Sequence, residues 1–91
     1  MTRRFAGTYF YLAVLNSRDA AHERAVALSR SLRGGLVTTE FVLLELADGL
    51  AHPPARATFV QFNDLLHRDI RVEIIPASTD LLQRGLKLYA D

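Results

Sequence analysis

The sequence predicts an α/β domain with a central, mostly parallel sheet flanked by helices, and three observations carry that prediction. Short apolar runs of strand character alternate with longer stretches whose apolar residues recur at helical spacing. Turn and cap residues punctuate the alternation at Gly7, Asp19, Gly34-Gly35, Thr39, Pro53-Pro54 and Ser78. The chain has 91 residues, 49% hydrophobic and 23% charged, which suits one globular domain rather than a disordered chain.

Residues 3–6 read as a short first strand, followed by a turn at Gly7 and a short helix through Leu15. Asn16-Ser17-Arg18-Asp19 breaks that helix, and Asp19 is placed to cap the next one. In the second helix Ala21, Ala25, Leu28 and Leu32 share one face. Gly34-Gly35 stops it, because glycine readily takes the left-handed conformation that ends helices. Leu36-Val37-Thr38-Thr39 reads as a second, buried strand, and Thr39 can cap a helix from 40 to about 52. Pro54 can open a further helix to about 68, with Phe59, Phe62 and Leu66 on one side. Ile70, Val72 and Ile74 alternate with Arg71, Glu73 and Ile75 as a third strand ending at Pro76. Ser78 caps a last helix in which Leu81, Leu82, Leu88 and Tyr89 are expected to face the core. A helix after a strand normally delivers another parallel strand, and none follows here. Either the sheet has three strands, or the sequence is shorter than the fold it encodes.

Eleven Lys and Arg against ten Asp and Glu leave a net charge of +1, which demands neither nucleic acid nor a membrane surface as partner. All the basic residues but Lys87 are Arg, which can hold phosphate through two hydrogen bonds. The absence of cysteine excludes a disulfide framework and Cys-ligated zinc. The apolar stretch 5–15 is too short to span a bilayer and is interrupted by Thr8, so a cytoplasmic protein without a membrane partner is expected.

Glu45 is the only charged side chain in Phe41-Val42-Leu43-Leu44-Glu45-Leu46-Ala47. At about 100° per residue, Leu43, Leu46, Ala47 and Leu50 gather on one side of the helix. Glu45, Asp48 and His52 gather on the other, with Phe41. A solvated stripe is the ordinary reading of such a face. A carboxylate held at a sheet edge for a divalent ion is the functional one, since Mg²⁺ takes oxygen ligands. The stripe also admits a metal site of its own, although it lacks the paired His of zinc hydrolases. His22, His67, Asp64 and Asp69 read as surface groups, Asp80 as a favourable charge in the first turn of a helix. No glycine-rich phosphate loop, nucleophile elbow or Ser–His–Asp pattern is present.

Phe5-Ala6-Gly7-Thr8-Tyr9-Phe10-Tyr11-Leu12-Ala13, then Asp19-Ala20-Ala21-His22-Glu23-Arg24-Ala25, then Leu36-Val37-Thr38-Thr39-Glu40 through Leu50 together resemble the PIN-domain family. The nearest type is the VapC toxins of bacterial toxin–antitoxin pairs. Val72-Glu73-Ile74-Ile75-Pro76 through Tyr89 is similar to the family's next strand and helix. The resemblance runs through all of 1–91 but only about the first two-thirds of a PIN domain. It implies a single incomplete three-layer PIN-like domain whose C-terminal part is missing.

The resemblance implies a metal-dependent ribonuclease, in which acidic residues at the carboxyl ends of a parallel sheet hold Mg²⁺ or Mn²⁺. Glu45 matches the family's helix Glu, as catalytic residue and metal ligand, and Thr8 matches the Thr that follows the first acid. The first acid itself falls on Gly7, and the later Asp residues have no counterpart before Asp91. Lost or reduced activity is therefore expected, on an RNA substrate, with an antitoxin protein and a second copy of the chain as possible partners. The alternative is an inactive PIN-like module that binds RNA or an antitoxin-like protein. Without the absent part the sheet is expected to keep an uncovered face or edge, an aggregation risk.

Overall fold

The structure, a computed structural model, describes residues 3–31 and 34–90. The elements follow in the order β1 (Arg4–Phe5), α1 (Thr8–Leu15), α2 (His22–Ser31), β2 (Leu36–Thr39), α3 (Glu40–Gly49), α4 (Pro53–Arg68), β3 (Val72–Ile75) and α5 (Thr79–Ala90). Local chemistry sets most of these boundaries. Thr39 accepts a hydrogen bond from the Val42 N–H at 3.2 Å and starts α3. Pro53 and Pro54 open α4, where their missing N–H groups leave no helical bond unmade. The Ser78 hydroxyl accepts from the Leu81 N–H at 3.0 Å and starts α5. Gly35 leads into β2 with φ +85°, the left-handed conformation that favours glycine.

The three strands are parallel in the order β1-β2-β3, with Arg4 opposite Leu36, Leu36 opposite Val72 and Thr38 opposite Ile74. Strand side chains alternate between faces, so Leu36, Thr38, Val72 and Ile74 share one face of the sheet. Leu36, Val72 and Ile74 pack against the core of Ala6, Tyr11, Leu43, Leu46 and Leu66, with Phe10, Phe59 and Phe62 around it. Strands in sequential order joined by right-handed crossovers carry their helices on one face, which is why α1, α3 and α4 meet in that single core. The fully buried Thr38 donates to Ala6 O at 2.9 Å, satisfying its hydroxyl and tying β1 to β2. The other face presents Phe5, Val37 and Glu73, with Arg3 paired to Glu73 across it.

Several expectations are corrected by the packing. The helix expected to reach about 52 ends at Gly49, and the Leu50 N–H closes its last turn on Leu46 O and Ala47 O. His52 precedes Pro53 and is extended, as a residue before proline tends to be. The third strand begins at Val72, because Asp69 folds a turn onto the N–H groups of Arg71 and Val72. Ile70 lies in that turn and is 99% exposed. In α2 the buried residue is Ala25, while Leu28 is exposed and Leu32 lies outside the described residues. The Asp19 carboxylate accepts from the Ala21 N–H at 2.8 Å, in the turn just before α2.

The largest correction concerns α5. Leu81, Leu82, Leu88 and Tyr89 do not face the core: α5 has no buried residue, and Tyr89 is 91% exposed. The helical layer over the core face is already filled by α1, α3 and α4. A hydrogen bond from the Ala77 N–H to the Glu40 carboxylate ties the approach to α5 to the start of α3.

Candidate functional site

Parallel strands bring the ends of β1, β2 and β3 to one edge of the sheet, the edge at which open α/β sheets bind ligands. Thr8 opens α1 just past β1, and Glu45 lies in the second turn of α3 just past β2. The two meet there: the Thr8 hydroxyl donates to Glu45 Oε1 at 2.7 Å across 37 residues of sequence. Glu45 is exposed and Thr8 half-buried, so the hydrogen bond orients the carboxylate without withdrawing it from solvent. Helices α1 and α3 approach closely, and a Cβ built on Gly49 would make an ordinary 3.7 Å contact with Leu12.

Gly7 is the N-cap of α1, and no side chain caps the helix. Its backbone is extended, with φ −99° and ψ 179°, a conformation open to any L residue. A Cβ built on Gly7 would meet only the Phe5 ring, at 3.7 Å, an ordinary contact. The backbone therefore accepts a side chain at this position, and a carboxylate would sit one residue from Thr8.

The expected stripe of Glu45, Asp48 and His52 does not persist. Asp48 is exposed on α3, but His52 lies past the helix and lines the cleft where the end of α1 meets the start of α4. Among the described residues, no three His, Asp or Glu are grouped so that they could hold a metal ion. At the edge, among the described residues, the Glu45 carboxylate and the Thr8 hydroxyl meet, and the Glu40 carboxylate there accepts from the Ala77 N–H. Mg²⁺ sites in phosphoryl transfer take one or two carboxylates with waters and substrate phosphate, so the Thr8–Glu45 pair fits a divalent cation only at the lower limit and would hold it weakly.

The remaining candidates are structural. His22 is not a solvated surface group: it is half-buried, and its Nδ1–H donates to Ala13 O at 2.7 Å, tying the start of α2 to α1. The exposed His67 donates to Asn63 O within α4. Asp64 pairs with Arg68 and Asp80 with Arg84, each one helical turn apart. The Asp69 carboxylate accepts from both the backbone and the side chain of Arg71, which holds its pKa below the ordinary value. Burial raises the pKa of the Tyr11 phenol, and the neighbouring Thr38 hydroxyl offsets part of that rise. Two features of this edge escape sequence reasoning: the Glu40 contact with Ala77, which joins distant segments, and the exposure of Tyr9 beside Thr8. The run Tyr9-Phe10-Tyr11 signals aromatic residues but not which of them stays outside.

No family model matches this chain, and no curated protein does. Among solved structures, VapC20 of Mycobacterium tuberculosis, a sarcin-ricin loop cleaving toxin, superposes with a TM-score of 0.81 at 23% identity. The match covers 96% of this chain and 66% of that one. The fold is that of a VapC-like PIN domain. At this identity the likeness lies in the course of the backbone. The α/β class and the parallel sheet read from the sequence are those of the VapC-like fold. No helix among the described residues is long and apolar enough to cross a membrane.

Proposed function

We propose that this chain, as one incomplete PIN-like domain, carries part of the site of a VapC-like toxin ribonuclease, with RNA-cleaving activity lost or much reduced. The observation that supports it is the Thr8–Glu45 hydrogen bond at the carboxyl edge of a VapC-like sheet. RNA is the substrate class in this reading, by analogy with the sarcin-ricin loop cleaved by the structural neighbour. An antitoxin-like protein and a second copy of the chain are its partners, and the cytoplasm is its place of action. Mg²⁺ or Mn²⁺ belongs to the same reading, and supplies an activated water and charge neutralisation where a full set of carboxylates holds it.

In this chain Glu45 is held by Thr8 and open to solvent, and Gly7 adds no second carboxylate. Reduced activity follows from that shortage of ligands. The test compares the wild-type chain, Gly7→Asp and Gly7→Asp/Glu45→Gln, each verified as folded, for Mn²⁺ binding and RNA cleavage with Mg²⁺ or Mn²⁺. Gly7→Asp is expected to gain ion binding and cleavage over wild type, and Glu45→Gln to remove both. A folded Gly7→Asp chain that binds Mn²⁺ no better than the wild type overturns the assignment of position 7 to the site. Glu45-independent cleavage by the wild type overturns the assigned site.

A further inference from the structure

The sheet runs β1-β2-β3, so β1 has one side open. The Arg4 N–H donates to Gly35 O at 3.2 Å and the Ala6 N–H to Val37 O at 2.8 Å. In a parallel ladder the main-chain groups of successive residues point to alternate sides. Phe5, between Arg4 and Ala6, therefore turns its N–H and C=O away from β2, toward the open side. Its ring is 65% exposed. An unpaired strand edge of this kind is a template for another extended chain.

The open side is shaped as well as free. A cleft of about 590 Å³ lies there, lined by Phe5, Phe10, Leu28 and Leu36 with Arg3 and Arg4. Leu28, 45% exposed on α2, thus stands on a cleft wall rather than in the core. Arg3 is paired with Glu73, whereas Arg4 is exposed and makes no ion pair among the described residues.

Charge decides which strand fits. Charged side chains at a sheet edge guard against edge-to-edge pairing. Arg3 and Arg4 guard this edge against a second copy, whose own β1 would bring the same cations opposite them. They attract an acidic strand instead. Main-chain bonds to the edge supply affinity in such additions, and pockets for alternate side chains supply specificity.

We propose that the open edge of β1 seats an extended, acidic peptide segment of a partner protein as a further strand. The segment's main chain bonds to the Phe5 N–H and C=O. Its apolar side chains enter between Phe5, Phe10 and Leu28, and a carboxylate meets Arg4. The seat uses neither Thr8 nor Glu45 and does not rest on the ribonuclease reading.

The test titrates the full, isotopically labelled chain with a short peptide of alternating valine and glutamate, and with its valine–lysine counterpart. Affinity and amide hydrogen exchange are both read by NMR. The valine–glutamate peptide is expected to bind saturably and to slow exchange at the Phe5 amide. The valine–lysine peptide binds roughly 3- to 10-fold more weakly, and Arg4→Glu inverts that preference. Phe5→Pro removes the outward N–H and spares the bonds from Arg4 and Ala6 to β2, and it weakens binding roughly 2- to 10-fold. If Phe5→Pro fails to fold, the exposed Arg4→Glu still decides. Binding that leaves exchange at Phe5 as in the free chain overturns the proposal, as does an Arg4→Glu chain with the wild-type preference. Protection of Phe5 that grows with the concentration of the chain alone overturns it in favour of a second copy. No binding of either peptide overturns it and leaves the ribonuclease reading untouched.

Discussion

Gly35 and Gly7 lie at opposite edges of the same sheet, and the backbone requires glycine at only one of them. At the edge where β2 begins, the Leu36 N–H donates to Arg71 O at 2.9 Å and draws that carbonyl against the chain. Gly35 is in the left-handed region there, and a Cβ on it would press into the Arg71 carbonyl oxygen. At the edge where β1 ends, Gly7 is extended with only a distant ring for company. The comparison separates two reasons for a glycine. One is conformational and belongs to the fold; the other leaves a side-chain position empty beside the candidate site.

Substitutions at the two edges test this contrast. Gly35→Ala is expected to cost about 2 kcal/mol or more, from left-handed strain and the backbone clash together. Urea unfolding measures it, and a loss smaller than about 0.5 kcal/mol would show that the edge relaxes freely. At the other edge Thr8→Val removes the hydrogen bond to Glu45 and costs about 0.5–1 kcal/mol, since the exposed carboxylate regains water. Unfolding midpoints unmoved by Thr8→Val would mean that the pair does not couple α1 to α3.

Asp69→Asn probes the Gly35 edge through pH. The folded-state pKa of Asp69 is lowered from 3.8 by its hydrogen bonds to Arg71. Its contribution to stability is therefore complete above 3.8 and disappears as the pH falls through the lower folded value. The wild type should exceed Asp69→Asn slightly in stability at neutral pH, and the two should converge in acid. A gap that widens in acid would reverse the sign of the argument. The smallest effect is expected for Gly7→Asp, a gain of a few tenths of a kcal/mol as the new carboxylate caps α1. A clear destabilisation instead would mean that Gly7 is also constrained by its backbone.

The helices α4 and α5 show where sequence reading stops. Both carry an apolar stripe at helical spacing, and both begin at recognisable signals, Pro53-Pro54 and Ser78. Helix α4 buries Leu66 and packs Phe59 and Phe62 against the core, whereas α5 has no buried residue. An apolar stripe records that a helix has a face to cover, not which surface covers it. The site divides in the same way. Glu45 stands out locally as a lone charge among apolar residues, whereas Thr8, 37 residues distant, is an ordinary Thr at a strand end that only the family resemblance joins to it. His52 illustrates the opposite failure: it fits the stripe by spacing, yet the following proline takes it out of the helix.

Element type and order, the caps at Thr39 and Ser78, and the glycine turn before β2 are contained in the sequence itself. They arise from backbone conformation and hydrogen bonds spanning a few residues, which neighbouring side chains decide. The exposure of Ile70, Tyr9 and α5, the anchoring of His22 on Ala13 and the meeting of Thr8 with Glu45 were decided by tertiary structure alone. Each depends on which distant element arrives at the same place, and parallel strands with one-sided crossovers set that arrangement.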